Sequence, residues 1–283
     1  MIDLETIYKT QPDAIVREFS SLEEWMTFAS SFDVYDRRRM RAIVERAVRC
    51  GVHGIHTGKV TDPELISHTD GIHWDLLANG LDMRSRAILD VIAASPFAST
   101  QSLTRIYCGE ALSKLALNLR AIYPKFVGSQ YMPTAATQRE LFPILHQDIM
   151  ALDLPDETFD IVLTIEVLEH IWDLPKAFSE QARVLRKGGA MLATFPFNWN
   201  SQETIQKAIY DDGKIHHLVP NPEYHGDSMS VEGILVYQLP GWDIINIAKN
   251  AGFSRAGFIF YSTAIGGIVG HDLIGQLIFV AHK

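Results

Sequence analysis

Residues 154–170 read Leu154-Pro155-Asp156-Glu157-Thr158-Phe159-Asp160-Ile161-Val162-Leu163-Thr164-Ile165-Glu166-Val167-Leu168-Glu169-His170. A turn built from proline and acidic residues opens onto the apolar run Asp160–Ile165, which has the length and β-branched character of a strand. It stops abruptly in a polar group, Glu166, Glu169 and His170. Runs of the same kind recur on both sides. Upstream lie Arg105–Cys108, Lys125–Gly128 and Ile144–Gln147; downstream lie Ala190–Phe195, Ala256–Ser262 and Gln276–His282. Between them, Leu112, Leu115, Ala116 and Leu119, and then Leu174, Ala177, Phe178, Ala182 and Leu185, recur at helical spacing, the second set closed by Gly188-Gly189. Short apolar strands alternating with amphipathic helices predict an α/β fold, a parallel sheet of seven strands with helical crossovers over residues 101–283.

The first hundred residues read differently, as a helical and irregular extension that covers a cleft in the second part. Ser21-Leu22-Glu23-Glu24 has capping-box spacing. Met40, Ile43, Val44, Ala47 and Val48 mark an amphipathic helix stopped at Gly51, and Asp82 can cap a third whose apolar face is Met83, Ala87, Ile88, Val91 and Ile92. Residues 52–75, with four histidines, three glycines and a proline, read as a loop.

Composition bounds the function. With 283 residues, 47% hydrophobic and 21% charged, the chain can bury a core and is neither disordered nor fibrous. A formal charge of −9 opposes attraction to nucleic acid and to anionic lipid surfaces. Its most apolar stretch, residues 257–270, is interrupted by Ser262, Thr263 and glycines and falls short of the roughly 20 residues a bilayer requires. The opening Met1-Ile2-Asp3-Leu4-Glu5 has no basic segment leading into an apolar one, so the expected location is the cytoplasm. Cys50 and Cys108 cannot build a disulfide framework, and Cys50-x-x-His53 has no second close-spaced pair to complete a zinc site. Oligomeric state is not encoded in any of this.

Three motifs, Asp148-Ile149 with Leu154–Val162, Glu166-Val167-Leu168-Glu169-His170, and Arg183-Val184-Leu185-Arg186-Lys187-Gly188-Gly189, stand in an order and spacing that resemble the class I S-adenosylmethionine-dependent methyltransferases. The resemblance spans about residues 103–283. It implies a doubly wound, Rossmann-like sheet with S-adenosylmethionine lying over the carboxyl ends of the first strands. Asp148 would then accept from the adenine amino group, and Ile149 would offer its backbone N–H to a ring nitrogen. The loop after the first strand, Tyr107-Cys108-Gly109-Glu110-Ala111-Leu112-Ser113, departs from the family's acidic residue and Gly-x-Gly-x-Gly. Small residues still alternate there, and Glu110 can stand in for the carboxylate that meets the methionine amino group. Gln130 occupies the ribose position usually held by a carboxylate. Tyr107, Gly109 and Glu166 complete the expected cofactor set. So does Arg86, whose neighbour Arg84 is the other candidate clamp, both from a Gly-Leu-Asp-x-Arg-x-Arg-Ala segment that also resembles uncharacterised relatives. Trp74 is a further candidate there.

The Glu-x-x-Glu-His element is similar to that of metal-dependent O-methyltransferases. On a helix, Glu166, Glu169 and His170 share one face. Two carboxylates and an imidazole suit Mg²⁺ or Mn²⁺, with His225 or else His217, from the histidine-bearing segment His216–Asp227, as a further ligand or a general base. An ion there would lower the pKa of an acceptor hydroxyl. Glu169, His170 and His225 are accordingly the expected catalytic residues, and the acceptor is expected to be a small molecule. Two other readings fit the same residues: a metal-free methyltransferase with carbon or nitrogen as acceptor and Glu/His as base, and a non-catalytic cofactor-binding protein.

Overall fold

The computed structural model describes residues 3–68, 76–227 and 230–283. Eight strands form its main sheet: β1 (Ile15–Phe19), β2 (Arg105–Cys108), β3 (Lys125–Gln130), β4 (Leu145–His146), β5 (Phe159–Ile165), β6 (Leu185–Thr194), β7 (Arg255–Ser262) and β8 (Gln276–His282). Their spatial order is β1-β7-β8-β6-β5-β2-β3-β4. β6, β5, β2, β3 and β4 are parallel, whereas β8 runs antiparallel to both β6 and β7, so the carboxyl ends of all strands except β8 and β1 lie along one edge.

All seven strands read from the sequence are present. The eighth, β1, is a departure. It pairs antiparallel with β7, from Ile15 opposite Ser262 to Phe19 opposite Phe258, so the first hundred residues extend the sheet itself. They also hold two short strand pairs, Val52–Gly54 with Lys59–Thr61 and Ile66–His68 with Leu76–Ala78, in and just after the segment that reads as a loop. His73 and Trp74 lie outside the described residues.

Helices cover both faces: α1 (Leu4–Thr10), α2 (Leu22–Phe32), α3 (Arg37–Cys50), α4 (Met83–Ala93), α5 (Lys114–Ile122), α6 (Ala135–Glu140), α7 (Leu174–Val184) and α8 (Ile244–Asn250). Alternation along the strands divides the core. Tyr107, Val162, Met191, Phe258 and Phe279 pack under α2, α3, α7 and α8. Ile106, Cys108, Ile161, Leu163, Ile259 and Ile278 pack under α1, α4 and α5. Each such large side chain, removed from water, contributes about 1.5–3 kcal/mol.

Local sequence sets the joints. Ser21 accepts from the Glu24 N–H as a cap, while the Glu24 carboxylate reaches back to the Ser20 N–H at 2.7 Å. Asp82 caps α4 by accepting from the Ser85 N–H at 2.7 Å. Gly188-Gly189 does not close a helix: α7 ends at Val184, and the two glycines sit where the β6 register shifts between Leu185 and Ala190. Gly188 takes φ +78°, and a Cβ on Gly189 would come within 2.9 Å of the Asp160 carbonyl oxygen. No helix among the described residues is long and apolar enough to cross a membrane.

Candidate functional site

Because β2, β3, β4, β5 and β6 are parallel, the loops that follow them share an edge: Gly109–Ser113, Gln130, Asp148, Glu166 and Phe195. This is where open α/β sheets bind ligands. The loop after β2 folds tightly against β3. A Cβ on Gly128 would lie 2.8 Å from the Glu110 carbonyl oxygen and 3.1 Å from Ala111 Cα, so the position that requires glycine is Gly128; Gly109 has ordinary clearance, 3.9 Å to Ile149. Ser113 caps α5 by accepting from the Ala116 N–H at 3.1 Å. Burial pushes the Glu110 carboxyl up, with Asp82 and Glu166 acting in the same direction and Ser113 and Arg84 against it.

The expected cofactor residues divide. Gln130 ends β3 and Asp148 follows β4, both half-buried at the shared edge; the Asp148 carboxylate accepts from the Met150 N–H at 2.8 Å, which fixes the turn that presents Ile149. The Ile149 side chain belongs to the core. Tyr107 is not available to a ligand: its ring is 1% exposed and its hydroxyl pairs with Ser129 Oγ at 2.9 Å, because position 107 points into the face under α7 and α8. Arg86 is likewise removed from the cleft. Its guanidinium is buried and donates to the Gly267 carbonyl oxygen at 2.8 Å, tying α4 to the turn between β7 and β8, and burial lowers its pKa to about 10. The arginine that reaches the edge is Arg84, paired with Glu166 at 2.5 Å.

That pairing also changes the acidic cluster. Glu166 adopts φ +51°, and only Leu168–His170 form a short 3-10 turn, so no helix places Glu166 on the face of Glu169 and His170. What converges is Glu169, His170 and His225, whose ligand-type atoms all lie within 4.8 Å of one another. Glu169 Oε1 is 3.6 Å from His170 Nε2 and 3.6 Å from His225 Nδ1. The two imidazoles meet edge to face at 5.2 Å. The other nitrogen of each ring is occupied: His170 Nδ1 lies 2.8 Å from the Leu235 carbonyl oxygen, and His225 Nε2 lies 3.0 Å from Glu223 Oε1. Glu169 is fully buried, and neither carboxylate oxygen has a hydrogen-bond partner. Burial, reinforced by the charge of Glu166, raises its pKa to about 8.

A buried carboxylate without a donor is costly unless a cation or proton meets it. One carboxylate and two imidazoles, each imidazole oriented through its second nitrogen, form a donor set suited to a divalent transition ion. The histidines His216 and His217 do not join it; they are exposed on the hairpin Ala208–Asp211 and Lys214–His217.

A cavity of about 560 Å³ adjoins this cluster, bordered by Arg84, Glu166 and His225 and walled by Phe195, Phe197 and Trp199. Another, of about 410 Å³, opens at the opposite ends of the strands beside Ile161, Ala190 and Arg255. Glu223, Lys207 and Trp199 carry no motif in the sequence. Glu223 lies within the histidine-bearing segment and Lys207 precedes it, but nothing short of the folded hairpins reveals that they meet.

Residues 107–193 match the family model described as a methyltransferase domain. A probable S-adenosylmethionine-dependent methyltransferase of Mycolicibacterium smegmatis is 36% identical over 93 residues, 31% of this chain and 35% of the relative. A protein of the same description from Mycobacterium tuberculosis is 27% identical over 106 residues, 36% of this chain and 38% of the relative. The matched segment thus spans little more than a third of these curated relatives. Among solved structures, an S-adenosylmethionine-dependent methyltransferase from Mesorhizobium loti is similar with a TM-score of 0.41 at 11% identity, covering 65% of this chain and 92% of that one. DesVI of Streptomyces venezuelae has a TM-score of 0.41 at 15% identity, covering 66% and 86%.

Proposed function

We propose that this chain is an S-adenosylmethionine-dependent methyltransferase that acts on a hydroxyl of a small molecule with the help of a divalent ion. The observation that carries the reading is the fully buried, unpartnered carboxylate of Glu169 facing two oriented histidines at the end of β5. The methyltransferase match over residues 107–193 supports the cofactor, and the loop after β2 lies tight against Gly128 at the strand-end edge. The cavity supports an acceptor of small-molecule size.

In this reading the cofactor supplies an electrophilic methyl group on a sulfonium. Gln130 and Asp148 hold its ribose and adenine, and Glu110 meets its amino group. Arg84, from the N-terminal region, keeps Glu166 out of the ion site and closes one side of the cavity. Glu169, His170 and His225 hold the ion, whose chemistry is to lower the pKa of a bound hydroxyl. With Glu166 engaged elsewhere, one oxygen and two nitrogen ligands favour Mn²⁺ or Zn²⁺ over Mg²⁺. Phe195, Phe197 and Trp199 exclude water from the acceptor.

A metal-free reading is favoured by one observation: a carboxyl with a pKa of about 8 suits general-base work near neutrality. Calorimetric titration with S-adenosylmethionine, repeated with Mn²⁺ and with excess chelator, tests both. Cofactor binding together with stoichiometric ion binding supports the proposal; cofactor binding without ion uptake supports the metal-free base. Absence of cofactor binding overturns methyl transfer altogether.

A further inference from the structure

Glu169 and His170 lie in the short 3-10 turn Leu168–His170 that follows β5, where Leu168 and Glu169 are buried. His225 does not. It lies on the strand Tyr224–Asp227, which pairs with Ser230–Leu235 in a two-stranded hairpin outside the main sheet. A ligand on such an insertion needs its own orientation, since two strands alone make a weak frame. Backbone bonds bring the insertion close: the Tyr237 N–H donates to the Glu169 carbonyl oxygen at 2.8 Å, and the Val236 N–H to the Glu223 carbonyl oxygen at 2.9 Å. They place the chain but leave the imidazole free to rotate about its side-chain bonds.

The ring is fixed by a side chain. Glu223 Oε1 meets His225 Nε2 at 3.0 Å, and the other oxygen of Glu223 is paired with Lys207, whose side chain is only 18% exposed. Lys207 is anchored in turn, because its N–H donates to the carbonyl oxygen of Tyr237 at 2.7 Å, the same residue whose N–H makes the link to Glu169. An ionised Glu223 can only accept, so Nε2 of His225 carries the hydrogen and Nδ1 presents its lone pair toward Glu169. The two histidines therefore differ. His170 donates from Nδ1 to the Leu235 carbonyl oxygen and presents Nε2, whereas His225 donates from Nε2 and presents Nδ1.

We propose that Glu223, held by Lys207, is a positioning residue that fixes the His225 tautomer and aims its Nδ1 into the ion site, so that the two histidines bind the ion through opposite nitrogens. The inference rests on the metal-assisted reading above. A carboxylate behind a metal-bound histidine orients the ring and raises its basicity, and loss of such a partner costs about 10–100-fold in metal affinity. Glu223 also borders the cavity, and the positioning role proposed for it is the part of its effect that passes through His225. Lys207 acts one step further out, by keeping the Glu223 carboxylate ionised and in place.

The test is Zn²⁺ and Mn²⁺ affinity of the full chain by calorimetry, for wild type, Glu223→Ala, Glu223→Gln and Lys207→Met, with circular dichroism as the check on folding. Glu223→Ala is expected to weaken ion binding by about 10–100-fold. Glu223→Gln keeps an accepting oxygen and should recover part of that loss, and Lys207→Met should cost less than Glu223→Ala. Nitrogen-15 spectra of histidine in the Zn²⁺-loaded wild type give a readout that needs no variant: His170 should bind through Nε2 and His225 through Nδ1. Wild-type affinity in a folded Glu223→Ala, or Zn²⁺ bound through Nε2 of His225, overturns the positioning role while leaving the ion site standing. Wild type that takes up neither ion overturns the metal reading and the positioning role together.

Discussion

The two ends of the site are built in different ways. The proposed cofactor end, Gly109–Ser113, Gln130 and Asp148, consists of loops that inherit their places from parallel strands, so strand periodicity alone puts them on one edge. The proposed acceptor end joins the turn after β5 to an insertion of short hairpins through His225, Glu223 and Lys207, and each of these owes its place to a partner distant in sequence. Regular structure gives the first end robust geometry with weak individual contacts. Side-chain contact gives the second a concentrated chemistry that single substitutions can remove.

That contrast predicts a hierarchy of effects. Glu169→Gln should lower methyl-transfer rate by more than about 100-fold, since a direct ligand is worth more than its supporting partner, while S-adenosylmethionine affinity stays within about threefold. An equal loss of rate and cofactor affinity would mean the two ends are not separable. At the cofactor end, Asp148→Ala should weaken S-adenosylmethionine about tenfold, about 1.4 kcal/mol, read by calorimetry. Unchanged affinity would make Asp148 a turn residue and nothing more. Gln130→Glu should move affinity the other way by a few-fold, through a charge-assisted bond to the ribose; a loss would assign Gln130 a different task.

Acid–base linkage sharpens the same comparison. The folded-state pKa of Glu169, about 8, lies above its ordinary value of 4.5, so the folded protein binds the extra proton between these limits. The contribution of Glu169 to stability is therefore complete below pH 4.5 and is lost as pH rises through about 8. Denaturant titrations of ion-free wild type should show stability falling against Glu169→Gln across that window, and Mn²⁺ should restore it, because the ion replaces the proton. A wild-type curve parallel to that of Glu169→Gln would show that Glu169 does not titrate there.

The sequence was readable where residues serve local periodicity. The seven strands from Arg105 to His282 each carry an apolar run bounded by turn residues, and all seven are found. β1 escaped because Ile15-Val16-Arg17-Glu18-Phe19 neither alternates nor forms an apolar run; its burial comes from pairing with β7, some 240 residues away. Arg84 and Arg86 looked equivalent in a helix start, yet 3.6-residue geometry turns one toward Glu166 and buries the other against Gly267. Glu166 illustrates the limit of motif spacing. An i, i+3, i+4 pattern places residues on one face only within a helix, and the left-handed backbone at Glu166 breaks that premise, so of the four expected ligands only Glu169, His170 and His225 converge.

The central claim is that Glu169, His170 and His225 form one ion site belonging to the methyl-transfer machinery. Its most direct test is the manganese resonance spectrum and stoichiometry of the full chain, wild type against Glu169→Gln, each with S-adenosylmethionine present. The account predicts one Mn²⁺ per wild-type chain, with nitrogen couplings from two histidines, and none in the variant. Equal binding by both proteins, or no binding by wild type alongside undiminished cofactor affinity, would contradict it.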